Sequence, residues 1–238
     1  MLAHDRTAGI GSQRMQDTHI ALAHGNGGRY MRELIEELFA RHLGNPSLDV
    51  NLDAVALPLA ARPGELMITT DGFTVQPLEF PGGDIGSLAV HGTVNDLAVS
   101  GALPLFISAG FILEEGLPMD DLGQITTSMA NAAETTGVQV VTGDTKVVNK
   151  GNGDGIFINT TGIGNPHPDA EISMDRIGAG DHILVSGPIA AHGMAILSER
   201  EGLEFESEIQ SDTTCLNHLV GDLLTAFGPD IHLLRDPT

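Results

Sequence analysis

Between Asp84 and Ser100 the chain reads DIGSLAVHGTVNDLAVS. Wound as a helix, this stretch places apolar or small residues on both faces: Ile85, Leu88, Ala89, Val90, Val94, Leu97 and Ala98. A helix apolar on all sides must be covered on more than one of them, so the fold has to be layered around this one. Gly101 is the expected C′ residue that stops it, and Pro104 the block just beyond. The same helix carries Asn95 and Asp96. Buried polar groups cost free energy unless something polar meets them. A cap or a satisfied core pair explains such residues about as often as a ligand does.

Upstream, Leu66 to Thr70 reads as a strand that places Asp71, in Thr-Thr-Asp-Gly, at its end. Asp53 to Pro58 is the expected neighbouring strand, with Arg62-Pro-Gly as the turn between them. Further back, His24-Gly25-Asn26-Gly27-Gly28 opens an amphipathic helix from Arg29 to Leu43, which Gly44 ends. Bare N–H groups at such a helix start suit phosphate oxygens, although a glycine run is more often an ordinary turn. Downstream, Leu105 to Leu113 reads as a strand, and Pro118 starts a helix stopped by Gly137, with Leu122, Ile125, Met129 and Ala133 on one face. Val138 to Val141 is a strand running into a third acidic turn, Thr142-Gly-Asp144-Thr145-Lys146.

Gly151-Asn-Gly-Asp-Gly155 reads as a hairpin turn joining Lys146-Val-Val to Ile156-Phe-Ile-Asn. EF-hand spacing and its glutamate are absent, so a calcium loop is set aside. Asn165-Pro-His-Pro-Asp169 reads as a linker. A strand from Gly180 to Ser186, a helix through Met194 to Leu197 and a second helix bearing Leu216, Leu219, Val220, Leu223 and Leu224 follow. The expected organisation is residues 1–44 as a segment with the glycine loop and first helix, 45–164 as a first domain, and 171–238 as a second unit.

Asp71, Asp96 and Asp144 each stand beside glycine or a small residue. Carboxylates brought together this way are what magnesium takes, since it prefers oxygen ligands and keeps some waters. Glycines let backbone approach phosphate oxygens, and Lys146 offsets charge during phosphoryl transfer. The pattern is neither a Walker A loop nor a Rossmann fingerprint. Surface aspartates in turns stand as the equal alternative. Ten histidines show no metal-binding spacing, which argues against zinc; His192, in the turn after Ser186-Gly-Pro, is the one singled out. Cys215, the single cysteine, is expected on an apolar helical face as a small core residue.

Charge and composition exclude whole classes of partner. A net charge of −21 argues against nucleic acid and anionic membrane surfaces. No apolar run reaches the ~18 residues that a membrane span needs, and no basic-then-apolar leader opens the chain. With one cysteine there is no disulfide framework, which fits a reducing, cytoplasmic setting.

Taken in order, HGNGGRYM, TTDGFTVQPLEFPGGDIG, GTVNDLAVSGALP, FILEEGLP, VTGDTKVV, FINTTGIG, SGPIAAHGMAIL and LRDPT resemble the HypE family of hydrogenase maturation proteins. That family shares an ATP-binding superfamily with aminoimidazole ribonucleotide synthetase, selenophosphate synthetase and thiamine-monophosphate kinase. The resemblance implies an α+β fold: an N-terminal, ferredoxin-like sheet domain that dimerises, followed by an incomplete α/β domain. It implies ATP and Mg2+ in a cleft near the dimer interface. Matched motif by motif, it makes Asp71, Asp96 and Asp144 metal residues and Asp71, Asp96 and Lys146 catalytic. Gly27, Gly28, Asn95, Asp144, Thr145 and Lys146 become ATP-binding residues, with Asp84 and Asp236 as weaker matches. The implied reaction converts a carbamoyl group on a C-terminal cysteine into thiocyanate, the source of the cyanide ligands of [NiFe]-hydrogenase. The implied partners are a second copy, a HypF-type carbamoyltransferase and a HypC–HypD complex.

In that family the chain continues well past Asp-Pro-Thr to the acceptor cysteine. The expectation from sequence is therefore a fragment that binds ATP and dimerises without carrying the carbamoyl group itself. Two other readings stand beside it: a small-molecule kinase or synthetase of the same superfamily, and a non-catalytic dimerising or nucleotide-sensing module.

Overall fold

The computed structural model describes residues 17–25, 28–46, 48, 50, 66–202 and 209–236. An N-terminal helical run comprises α1 (Arg29–Leu34), a π-helical turn (Ile35–Phe39) and α2 (Ala40–Leu43), ending at Gly44. The π turn aims Leu38 and Phe39 inward, and the Phe39 and Phe111 rings lie 4.8 Å apart. Strand β1 (Met67–Phe73) follows, then a short hairpin of β2 (Glu79–Phe80) and β3 (Gly83–Asp84).

Helix α3 (Ile85–Val99) is the buried helix that the sequence demands. Asp84 caps it: its carboxylate accepts from the Ser87 N–H at 2.8 Å, and the Ser87 hydroxyl accepts from the Asp84 N–H at 3.0 Å. Ile85, Ala89, Val90, Val94, Leu97 and Ala98 are all buried although they point in different directions. Gly101, at φ +86°, ends the helix in the left-handed conformation that side chains resist.

Strands β4 (Ala102–Glu114), β5 (Gln139–Val148) and β6 (Ile156–Pro166) complete a four-stranded sheet with β1, in the order β1-β6-β4-β5. Helix α4 (Met119–Thr136) links the parallel pair β4 and β5, while β6 runs antiparallel to both its neighbours. Ile107, Phe111 and Leu113 of β4 and Ile158 of β6 pack under α3 and α4, against Leu122, Ile125 and Met129. The opposite face of the sheet is open, with Ile68 66% and Ile112 41% exposed. Helix α5 (Ala191–Glu201) and helix α6 (Asn217–Phe227) follow. A second apolar cluster joins Val220 and Leu224 of α6 to Ala98 of α3. Among the described residues no helix is long and apolar enough to cross a membrane.

The α+β class is as expected, but several local expectations change. Among the described residues, the four strands of the larger sheet have α3 between β1 and β4 and α4 between β4 and β5. Gly151 to Gly155 is not a hairpin turn, because β4 lies between β5 and β6; the Glu114 carboxylate instead holds that loop through the N–H groups of Gly151 and Gly155. Strand β4 starts at Ala102 and tolerates Pro104 at a register irregularity before Phe106. Gly180 to Ser186 forms no strand: it has no pairing partner among the described residues, and Ile183 and Leu184 are 90% and 91% exposed. The linker after β6 is docked, with the His167 N–H donating to Gly101 O at 2.8 Å. Cys215 precedes α6 rather than lying on it, and is half-buried. The expected strand at 53–58 and turn at 62–64 lie outside the described residues.

Candidate functional site

Strand β1 and helix α3 supply the first group of candidate residues. Thr69 Oγ1 donates to Asp96 Oδ2 at 3.2 Å across the gap between them. Asp71 stands two residues further along β1 and therefore on the same face. It lies within the strand, opposite Thr160, rather than in a turn at its end. Thr160 in turn meets Thr93 of α3 through their hydroxyls, which fixes how the helix sits over this part of the sheet.

Burial pushes the Asp96 carboxyl above the usual carboxylate range, and the Thr69 hydroxyl pulls it partly back. Asp71 and Asp236 add like-charge repulsion, while Arg235 opposes it. Arg235 and Asp236 come from the far end of the described chain. They reach α3 because Ile231 and Leu234 pack into the cluster formed by α6 and Ala98. Neither Thr69 nor Arg235 stands among the site residues expected from sequence. Their adjacency to Asp71 and Asp236 in Thr-Thr-Asp and Arg-Asp-Pro-Thr was the available signal.

Asn95 is 6% exposed. Its amide Nδ2 donates to Thr214 O at 3.0 Å, and its Oδ1 accepts from the Leu216 N–H at 2.8 Å. Asp84, the weaker match, spends its carboxylate on capping α3.

The second group sits at the other edge of the sheet. Asp144 lies inside β5, not in a turn, and accepts from the Thr145 N–H at 2.9 Å. Lys146 Nζ lies 3.3 Å from the Asp144 carboxylate, and both side chains are largely exposed. They register with Gly110 and Ile112 on the open face of the sheet, whereas Thr145 is buried on the helix side. The glycine turn abuts this strand. A 3-10 turn (Leu22–Gly25) presses so close that a Cβ on Gly25 would lie 2.8 Å from Val147 N. Gly28 caps α1 in an extended conformation; Gly27 lies outside the described residues.

Asp144 is thus not brought to Asp71 and Asp96. Three strand spacings separate β1 from β5, about 14 Å, and the side chains project from opposite faces. Among the described residues no group of three or more His, Cys, Asp or Glu side chains could by itself hold a metal ion. The oxygen-only donors of Asp71 and Asp96 still suit magnesium. That ion is commonly held by one or two carboxylates, with water and substrate phosphates filling the other positions. Converging negative charge at the half-buried Asp96 is relieved by such a cation.

His192 belongs to neither group. Its Nδ1 lies 3.0 Å from Ser211 Oγ, its backbone N–H donates to Asp212 at 3.0 Å, and its ring meets Phe80 edge-on. Burial lowers its pKa and Asp212 opposes the shift. A cavity of about 420 Å³, lined by Met31, Ile35, Phe39, Phe111 and Val140, opens beside Asp144 and Thr145.

Residues 52–165 match the N-terminal domain family of AIR synthase related proteins. The carbamoyl dehydratase HypE of Azotobacter vinelandii is 54% identical over 224 residues, covering 94% of this chain and 65% of that protein. A crystal structure of hydrogenase maturation protein HypE in complex with ATP is 52% identical, with a TM-score of 0.86, over 91% of this chain and 64% of that one. HypE in a crystal structure of a HypE–HypF complex is also 52% identical, with a TM-score of 0.72, over 86% of this chain and 65% of that one. The chain therefore spans just under two thirds of the length of these relatives.

Proposed function

The chain belongs to the HypE family of hydrogenase maturation proteins, and from that premise we propose that it binds ATP with magnesium and serves the dehydration of a sulfur-bound carbamoyl group to thiocyanate. The observation that carries this reading is the half-buried Asp96 carboxylate, anchored by the Thr69 hydroxyl and repelled by the charges of Asp71 and Asp236. Such an arrangement is costly in the free protein and useful once a cation and phosphates arrive.

In this reading Asp71 and Asp96 would hold magnesium, which would supply charge neutralisation at the phosphates. Asp144, Thr145 and Lys146, with the glycine turn at Gly27 and Gly28, receive the phosphates. The carbamoyl oxygen attacks the γ-phosphorus, ADP departs, and one nitrogen proton is lost, leaving an O-phosphorylated S–C(=NH) group. Loss of the second nitrogen proton and of phosphate then leaves S–C≡N. The Lys146 cation offsets the charge that gathers on the transferred phosphoryl oxygens. Holding an unreactive amide oxygen in line with the phosphorus is the protein's larger contribution.

The two groups of residues lie too far apart to share one nucleotide's phosphates within a single chain. A homodimer offers a route: the open sheet face, with Ile68 and Ile112 exposed, carries Asp144 and Lys146 as well. A second copy laid over that face would bring its own residues to Asp144 and Lys146, while Asp71 and Asp96 stay on the helix side of the sheet. A HypF-type carbamoyltransferase as donor, a HypC–HypD complex as cyanide acceptor and a cytoplasmic setting complete the proposal.

The test is to incubate the protein with magnesium, ATP and a peptide carrying an S-carbamoyl C-terminal cysteine. Loss of one water from the peptide mass, with one ADP and one phosphate formed per peptide converted, is the expected result. ATP consumption that ignores the peptide would overturn the reading.

A further inference from the structure

The side chain of Asn95 joins two parts of the chain that are 119 residues apart. Its amide pairs with the backbone as a peptide group would, donating to Thr214 O and accepting from the Leu216 N–H. Leu216 is the residue from which α6 begins. Helix α6 carries Val220 and Leu224 onto Ala98, and the following Ile231 and Leu234 pack into the same cluster. Arg235 and Asp236 come directly after Leu234. One buried amide on α3 therefore fixes the start of the element whose packing delivers Arg235 and Asp236, and the residue next to it is Asp96.

We propose that Asn95 is a positioning residue: a latch that locks the start of α6 to α3 and so holds the Arg235–Asp236 segment in register with Asp96. It works without touching the nucleotide. The inference rests on the reading of Asp96 as a carboxylate of the nucleotide site. It differs from a role in ATP contact, because both polar ends of the Asn95 amide are already engaged by backbone. Without that amide, the Thr214 carbonyl and the Leu216 N–H lose the partner that Asn95 gives them, and the first turn of α6 opens first.

Two measurements on the full chain separate the latch from the site it serves. The first is amide hydrogen exchange without nucleotide, on wild type, Asn95→Ala and Asn95→Asp. The second is the magnesium–ATP Kd of the same proteins. In Asn95→Ala, exchange at Leu216 and in the first turn of α6 should rise about tenfold or more, from the loss of two hydrogen bonds. Asn95→Asp at neutral pH should be at least as severe, because a carboxylate faces the Thr214 carbonyl with no donor. Amides of β4 and β6 should keep wild-type protection, showing that both variants are folded. The Kd should rise in step with α6 exchange. Unchanged exchange at Leu216 with ATP binding lost would overturn the latch in favour of direct contact. Faster exchange with an unchanged Kd would overturn its service to the site. If the wild type itself binds no ATP, the functional reading fails, and exchange at Leu216 alone decides whether the latch exists.

Discussion

Replacing Gly25 by alanine tests how closely the glycine turn must sit on β5. Gly25 does not have a positive φ, so alanine can adopt its backbone conformation freely. The obstacle is space. The added methyl would stand 2.8 Å from both the N and the Cβ of Val147, where ordinary contact begins at 3.4 Å. The turn or the strand must therefore yield 3.4 − 2.8 = 0.6 Å. Strand β5 is held along its length by β4, so the turn is the part that moves. Overpacking of this kind costs about 1–3 kcal/mol. For a chain of this size each kcal/mol lowers Tm by roughly 2–4 °C. Displacing the turn also shifts the start of α1 relative to β5, so on the proposed reading magnesium–ATP binding should weaken about tenfold, a loss of about 1.4 kcal/mol. The control is Gly123→Ala on α4, where nothing lies within 4 Å of the new Cβ. That variant should gain up to about 1 kcal/mol of helix propensity and leave ATP binding alone. Thermal unfolding and calorimetry read both proteins. A Gly25→Ala protein with wild-type Tm would refute the packing argument, and one with lowered Tm but wild-type Kd would refute the role of the turn in nucleotide binding.

Other perturbations have equally definite signs. The Asp96 carboxyl is held above its unfolded value, so the native state binds the extra proton and stability should rise as pH falls through the folded pKa, levelling off below the unfolded one. Asp96→Asn should remove that dependence and melt higher than wild type at neutral pH; a variant that melts lower would contradict the account. The Glu114 carboxyl is held below its ordinary range by the N–H groups of Gly151 and Gly155, so its contribution is present above the unfolded pKa and lost as pH falls through the folded one. Glu114→Gln should speed amide exchange at Gly151 and Gly155 at neutral pH, read against unchanged exchange in β4. Leu224 is fully buried in the cluster that docks α6, and Leu224→Ala should cost about 2–5 kcal/mol, measured by denaturant unfolding.

Some of this architecture was legible in the sequence because local signals and tertiary packing agree. Helix α3 declared itself through apolar residues on every side and Gly101 at its end, and α4 through Pro118, Gly137 and a regular apolar stripe. The acidic motifs take a different local structure from the turns that their sequence suggests. Thr-Thr-Asp-Gly and Thr-Gly-Asp-Thr look like turns, yet strand pairing with β6 and β4 carries the backbone straight through both. The opposite error fell on Gly180 to Ser186, whose strand-like pattern finds no partner among the described residues. Strand order was beyond local pattern altogether. Nothing in Gly151 to Gly155 shows that β6 will cross over β4 and settle between it and β1. The roles of Asn95 and Arg235 were hidden for the same reason, since both depend on packing across more than a hundred residues.

The most direct test of the central claim is calorimetry of ATP binding to this chain with magnesium, without magnesium, and with Asp96→Asn in its presence. The account predicts binding that requires magnesium and falls at least about tenfold in the variant, even though the variant is the more thermally stable protein. Equal affinity in all three titrations would show that the carboxylates around Asp96 do not form the nucleotide site.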